Sequence, residues 1–133
     1  MTATFRATHR HAHLAPRKAL GVMTSIRGLP AGEALDRLSH DKKRAAAMVE
    51  KVLASAVANA LQHPDVRPNR LVVSHATVGN GPLLMGRLRF RPGPMGRAMP
   101  FRRRTCHLQV HVSDPQVAAS AHTGSGDDAG QQD

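Results

Sequence analysis

The sequence predicts an α+β fold: three helices packed on a small antiparallel β-sheet, with a long protruding β-hairpin. Helical apolar spacing recurs in three segments before residue 63, a β-rich segment follows at residues 71–78, and residues 107–112 alternate as a strand does. The stretch between those strands is rich in arginine and contains two turn-forming clusters, at residues 79–82 and 92–96. A chain of 133 residues is long enough for one domain with a modest core.

Composition restricts what the core and the sites can be. The chain has no Trp or Tyr and only three Phe, so the core must be aliphatic. Its one cysteine, Cys106, excludes an intramolecular disulfide and a zinc site built from several cysteines. No apolar run approaches the roughly 18 residues that a membrane span needs. Residues 1–32 are basic and acid-free like a transit peptide, but the domain needs them, so we expect no cleaved leader.

The first predicted strand begins at residue 5 and contains three alternating histidines. In an extended chain His9, His11 and His13 share one face. We interpret them as a polar strand face that contacts solvent or phosphate. A metal site with imidazole ligands is the alternative, although one face of a single strand rarely provides three-ligand geometry.

Three helices are predicted after this strand. Residues 15–28 form the first, because Pro16 suits a first helical turn and Gly28 suits a helix end. Residues 29–38 form the second, and residues 42–62 form the third and longest. Each has an apolar stripe expected to face the core. The stripe residues are Ala19, Leu20, Met23, Ile26, Ala34, Leu35, Leu38, Ala45, Met48, Val49, Val52, Leu53, Ala56 and Ala60.

The start of the longest helix has an unusual charge. Ser39, His40 or Asp41 is expected to cap it, and residues 42–44 then lie in its first turn. These three residues are Lys42, Lys43 and Arg44. Cations there oppose the helix dipole and cost roughly a few tenths of a kcal/mol each. A phosphate group outside the helix end would favour both the side chains and the terminal N–H groups.

Two strands enclose the arginine-rich stretch. Residues 71–78 are expected to form a central strand, and residues 107–112 a strand with Leu108, Val110 and Val112 inward and His107, Gln109 and His111 outward. Roughly 22 of the residues between them form the arm, which folds back on itself, so each side has about 11 residues and at about 3.3 Å per residue projects about 35 Å. The arm spans about residues 83–105, and its prolines are Pro92, Pro94 and Pro100.

This arm is expected to be a poor structure on its own. Its prolines cannot donate to a ladder, and a lone two-stranded ribbon is marginally stable in water. We therefore expect the arm to become ordered when a partner holds it.

Charge indicates what that partner is. All 19 basic residues precede residue 115, whereas three of the nine acids follow it, so the first 114 residues have a formal charge of +13. Such asymmetry favours a nucleic acid or an anionic membrane over a merely soluble surface, which usually mixes both signs. Arginine suits RNA, since it binds phosphate bidentately or stacks on bases. Leu88, Phe90 and Met99 interleave with the arginines as stacking or wedging groups.

The domain division follows from the same charge pattern. Residues 1–114 are expected to form the RNA-binding domain. Residues 115–133 are small, polar and mildly acidic without periodicity, and are expected to be a disordered tail.

Several segments together resemble one known family. They are ATHRHAHLAPRKALGVMTSIRG at residues 7–28, EALDRLSHDKKRAAAMVEKVLASAVANA at 33–60, RFRPGPMGRA at 89–98 and RRRTCHLQVHVSD at 102–114. In this order they resemble the L-twenty-two family of large-subunit ribosomal proteins, bacterial type. Gly93 and Pro94 depart from the pattern, because the family usually has a basic and then a small residue there. The departure concerns the hairpin tip.

The resemblance implies a structural constituent of the large ribosomal subunit that binds its ribosomal RNA and aids assembly. It implies an RNA interface formed by His9, Arg10, His11, Arg17, Lys18, Lys42, Lys43, Arg44, Arg87, Arg89, Arg91, Arg97, Arg102, Arg103, Arg104, Thr105 and His107. It also implies that the extended hairpin lines the nascent-peptide exit tunnel through Arg91, Pro92, Gly93, Pro94, Met95 and Gly96. The implied partners are ribosomal RNA, neighbouring ribosomal proteins and the nascent polypeptide, in a cytoplasmic or an organelle ribosome, with no cofactor, no metal and no membrane insertion.

Two other classes of function are alternatives to this one. An enzyme is disfavoured because Cys106, Ser39 and Ser74 have no recognisable base motif around them. A free-standing RNA-binding regulatory or assembly protein is the closer alternative. The sequence has neither the aromatic motif of an RNA-recognition sheet nor a clear helix-turn-helix signature.

Overall fold

The computed structural model describes residues 3–116, and these residues form eight regular elements. From residue 117 onward the predicted tail lies outside the described residues. Single 3-10 turns occur at Pro68–Arg70, Leu84–Gly86 and Pro94–Gly96. The elements are β1 Thr4–Ala12, α1 Pro16–Ile26, α2 Ala31–His40, α3 Arg44–Leu61, β2 Val72–Leu83, β3 Arg89–Pro92, β4 Ala98–Phe101 and β5 Arg104–Ser113.

The predicted α+β fold is confirmed, but the prediction that residues 71–78 form a central strand is wrong. The antiparallel sheet has the order β1-β5-β2, so β5 is central and β2 is an edge strand. On β5 the side chains of Leu108, Val110 and Val112 are fully buried, as their alternation predicts. The outer edge of β2 is instead paired by the connection between α1 and α2. Val73 accepts from the Gly28 N–H at 2.9 Å and donates to the Leu29 carbonyl at 3.0 Å.

The helices cover one face of the sheet through α1 and α3, and α2 packs on α3. The apolar stripes of α2 and α3 are confirmed, with Leu35 and Met48 partly buried and the others buried. On α1 the prediction for Leu20 is wrong, because this side chain is 46 % exposed while Val22 is 1 % exposed. Around the helix axis, position 22 lies beside the stripe formed by Ala19, Met23 and Ile26. Position 20 follows Ala19 by one residue, about 100° around the axis, and so points away from the core. No helix among residues 3–116 is long and apolar enough to span a membrane.

The longest helix begins later than predicted. Its N-cap is Lys43, which forms no side-chain cap, so only Arg44 of the three basic residues lies inside α3. Asp41 accepts a hydrogen bond from the Lys43 N–H at 3.0 Å and thereby orders the approach to the helix. The Ser39 hydroxyl and the His40 ring instead contact the Asp36 carbonyl at the end of α2. The expectation that one of Ser39, His40 and Asp41 is the N-cap is therefore wrong.

His9, His11 and His13 do not share one regular strand face, and His13 lies beyond the end of β1. A bulge lies between His9 and Ala12 in the pairing with β5, and His11 at the bulge has φ +57°. The bulge turns Ala12 into the core, where it is 1 % exposed. Since a bulge breaks the alternation of side chains, the shared face expected of an extended chain is absent.

The hairpin consists of two ladders joined by a break. The β2–β5 ladder runs to the pair Leu83–Arg104, and β3 pairs with β4 from Arg89–Phe101 to Pro92–Ala98. A discontinuous ladder was expected, but its break lies at residues 84–88 and not at a proline. Met85 and Gly86 have positive φ there, at +60° and +71°.

The prolines fit the short ladder because of their position in it. The Gly93 N–H donates to the Arg97 carbonyl at 2.6 Å, so that pair is hydrogen-bonded. Since hydrogen-bonded and non-bonded pairs alternate along an antiparallel ladder, Pro92 and Pro100 fall at non-bonded positions. Their missing N–H groups therefore leave the ladder intact.

The hairpin root is packed closely at Gly81. The Thr105 hydroxyl donates to the Pro82 carbonyl across the two strands. A Cβ on Gly81 would lie 2.5 Å from the Thr105 hydroxyl oxygen and 3.1 Å from the backbone carbon and oxygen of Thr105. The backbone of a central strand cannot move away, so this position requires glycine.

Replacing Gly81 with alanine should therefore destabilise the fold. We expect Gly81→Ala to lower the free energy of unfolding by about 1–3 kcal/mol, the usual effect of overpacking. The matched control is Gly79→Ala on the same strand, where the new Cβ would meet its nearest atom at 3.6 Å, an ordinary contact. Urea titration of both variants measures the difference, and equal unfolding free energies would contradict the assigned contact.

Candidate nucleic-acid interface

The seven arginines of the arm region are all exposed. They are Arg87, Arg89, Arg91, Arg97, Arg102, Arg103 and Arg104. Two of them stack on an aromatic ring within the hairpin: the guanidinium carbons of Arg91 and Arg103 lie 4.3 Å and 5.7 Å from the ring centroid of Phe101. Phe101 was not predicted as a site residue. Its contact with Arg91 depends on the pairing of β3 with β4, which the sequence does not show, whereas Arg103 follows Phe101 by only two residues.

A groove of about 500 Å³ at the hairpin root is lined by four of these seven arginines together with basic residues from elsewhere in the chain. We call it the basic bay. Its basic lining comes from His13, Lys18, Arg44, Arg89, Arg102, Arg103 and Arg104, and none of the acidic residues among positions 3–116 lines it. Leu14, Ala15 and Leu84 complete the wall.

Three separate parts of the chain form the basic bay. Lys18 comes from the first turn of α1, Arg44 from the first residue of α3, and the remaining arginines from the hairpin root. Neither helix has an acidic residue in its first turn or a side-chain cap at its N-terminus. The positive ends of both helix dipoles therefore add to the side-chain charges. Such an arrangement can neutralise several closely spaced phosphates.

The structure places the other predicted RNA-binding residues outside the basic bay. Arg17, Lys42, Arg87, Arg91 and Arg97 are exposed elsewhere, the last two near the hairpin tip. Lys43 instead lines a cleft of about 530 Å³ that also contains the carboxylates of Glu33, Asp36 and Asp41.

The predicted residues on the strands have more varied environments. Thr105 is 4 % exposed, and its hydroxyl is used within the hairpin root. His9 and Arg10 lie on β1 beside the exposed side of α3. The backbone N–H of His11 donates to Nδ1 of His107 at 3.0 Å, and the two rings are 4.9 Å apart. His107 is half-buried.

The described residues show no arrangement typical of a catalytic or metal site. Burial raises the pKa of the Cys106 thiol, so this group stays protonated at neutral pH and is a poor nucleophile. Within residues 3–116, no three His, Cys, Asp or Glu side chains are grouped closely enough to hold a metal ion.

Comparison with known proteins identifies the family. The sequence profile of Ribosomal protein L22p/L17e matches residues 7–113, which is well over half of the chain and includes all three helices and the hairpin. The chain therefore belongs to this family. Its members are structural, non-enzymatic proteins.

The free protein should become less stable as the pH falls below about 6.5, partly through one histidine. Burial, and then the charges of His75 and Arg6, lower the pKa of His111 from its ordinary value of 6.5. The unfolded chain thus binds this proton more readily, so stability is present above pH 6.5 and is lost as the pH falls through the lowered pKa. We therefore expect His111→Gln to lose less unfolding free energy than the wild type as the pH falls below 6.5, measured by chemical denaturation at several pH values. An identical pH dependence in both proteins would refute the assignment.

Proposed function

We propose, from membership of the ribosomal protein L22p/L17e family, that this protein is a structural constituent of the large ribosomal subunit that binds its ribosomal RNA. The observation that supports this most is the basic bay, where cations from three parts of the chain line one groove without an acidic residue. In a free globule these charges repel one another, so a polyanion is the partner that gains most from the arrangement.

The proposed contact is chiefly with phosphates at the bay. Arg102, Arg103 and Arg104 are consecutive and exposed at the point where the hairpin leaves the core. Each guanidinium can hold a phosphate through two parallel hydrogen bonds, while Lys18 acts as a point charge. Neutralising phosphates from different parts of a folded RNA would allow them to approach closely, which is how such a protein aids assembly.

We propose a different role for the hairpin tip. The tip residues are Arg91, Pro92, Gly93, Pro94, Met95 and Gly96, and Met95 is 97 % exposed at φ +57°. Arg91 and Pro92 end the β3–β4 ladder, and residues 93–96 form the turn beyond it, away from the residues of the core. A thin turn whose residues 92–96 have no charge, at the end of an arginine-rich arm, suits a segment that passes through RNA and lines the nascent-peptide exit tunnel, where it would contact the growing polypeptide.

Removing two bay arginines should weaken RNA binding and its dependence on salt. We expect Arg102→Ala with Arg103→Ala to lower affinity for large-subunit ribosomal RNA and to reduce the log–log salt slope by about 1.5, since each phosphate contact contributes about 0.7–0.9. The matched control is Arg67→Ala, which removes an exposed cation on the connection before β2. Filter binding at several salt concentrations tests this, and equal slopes for the double variant and the control would contradict the bay as the phosphate site.

Changes at the tip should affect the tunnel and not assembly. Ribosomes containing Arg91→Ala with Met95→Ala should sediment with a normal large subunit but show altered macrolide inhibition or altered elongation of nascent chains. The control is Arg87→Ala, which removes a cation on the same arm nearer to the root. If the tip variant and the control translate alike with and without drug, the tunnel role is wrong.

A further inference from the structure

Among residues 3–116, no helix packs on the second face of the three-stranded sheet, and neither the basic bay nor the hairpin uses this surface. The helices contact the face from which Phe5, Ala7 and Val110 point into the core. The opposite face presents the alternating residues of all three strands. Arg6, Thr8, Arg10, His75 and Thr77 are exposed there, and His107, Gln109 and His111 are half-buried.

We propose that this sheet face binds the minor groove of a double-helical RNA segment. The inference rests on the proposed role in binding ribosomal RNA and adds to it a second contact surface with its own mode of recognition. None of the residues on this face lines the basic bay.

The strand register arranges these side chains in rows. Thr8 lies opposite Gln109, which lies opposite Thr77, so a hydroxyl, an amide and a hydroxyl cross the sheet in one row. The next row consists of Arg6, His111 and His75. Neighbouring strands are about 4.8 Å apart, and successive rows on one face about 6.7 Å apart. The rows therefore form a broad polar surface, and not a narrow pocket.

The chemistry of the rows differs from that of the basic bay. Hydroxyl and amide groups both donate and accept hydrogen bonds, as the ribose 2′-hydroxyl does. Because Nδ1 of His107 accepts from the His11 N–H, the neutral ring has its proton on Nε2 and presents a donor. Arg6 and Arg10 on β1 add cations for the flanking phosphates. The A-form minor groove is wide and shallow and displays 2′-hydroxyls, so a sheet face of this chemistry complements it.

The same surface is poorly suited to a protein partner. The exposed large apolar side chains of the described residues all lie elsewhere, on α1, α3 and the hairpin. Both sheet edges are also in use. The Asn59 amide donates to the Arg6 carbonyl of β1 at 3.1 Å, and Arg27 Nε donates to the Ala76 carbonyl of β2 at 2.8 Å. A peptide strand adding to either edge would have to displace these bonds.

The test compares binding of the full chain to an RNA duplex of about 16 base pairs, a length that shape-reading RNA domains span, and to a DNA duplex of the same sequence. The variant is Thr8→Val with Thr77→Val, which removes two hydroxyls while keeping branched side chains that suit strands. Wild-type protein should prefer RNA, and the variant should lose most of that preference at unchanged DNA affinity. Arg6→Gln should lower the salt slope for RNA by about 1.

The matched comparison separates this inference from the proposed function. Arg102→Ala with Arg103→Ala should weaken binding to both duplexes equally, because phosphate contacts do not distinguish RNA from DNA. Equal RNA and DNA affinities for wild type, or an unchanged RNA preference in the threonine variant, would overturn the sheet-face contact. If the arginine variant alone binds both duplexes more weakly, the proposed function stands and the sheet-face inference is wrong. Circular dichroism melting shows whether each variant is folded.

Discussion

The antiparallel pairing of β5 with both of its neighbours is the interaction on which the rest of the structure depends. The same strand is the middle of the core sheet and the return arm of the hairpin, so the ladder that holds the core together continues into the arm. It extends from the pair Val72–Ser113 to the pair Leu83–Arg104, and the Leu84 N–H then donates to the Arg103 carbonyl at 2.8 Å. The direction of the arm at its root is therefore set by the core. At the other end of β5, the fully buried Asp114 lies 3.6 Å from Arg70, which fixes the strand to the connection before β2.

The distribution of charge is the second constraint, and it acts against the fold. Three of the six acids that precede the tail line one cleft beside α2, whereas the basic bay at the hairpin root has none. Like charges held close together repel, although exposed guanidinium groups are screened by water and salt. The core must supply the stability that this repulsion removes. The aliphatic core residues pack on β5, and burial of their side chains stabilises the fold against this repulsion. The strand that positions the arginines is therefore also part of the core that stabilises them.

How much of this could be predicted depends on whether a feature is local. The stripe of α3 was predicted nearly in full, because its period is regular over 18 residues. The place of each strand in the sheet was not predicted correctly. The residue patterns of β2 and β5 do not indicate which of the two strands has two neighbours. The bulge in β1 requires the left-handed conformation of His11, which no neighbouring glycine marks. The basic bay was predicted only as separate groups of residues. Lys18, Arg44 and Arg102 are far apart in sequence, and only the packing of α1 and α3 on β5 brings them to one groove.

The ladder of the arm is discontinuous, as predicted, but the prolines are not the cause. Pro92 and Pro100 were expected to interrupt the ladder, yet each strand of the ribbon has one partner, and an N–H at a non-bonded position faces outward. The interruption occurs instead at Met85 and Gly86, where the backbone turns through positive φ. The ribbon beyond it has four paired positions and no side chain in the core. Its internal stabilisation comes from main-chain bonds and from Arg91 and Arg103 on Phe101, contacts that leave the guanidinium edges free to bind phosphate. The arm is thus held together by main-chain pairing and by one aromatic stack, and not by apolar packing against the core.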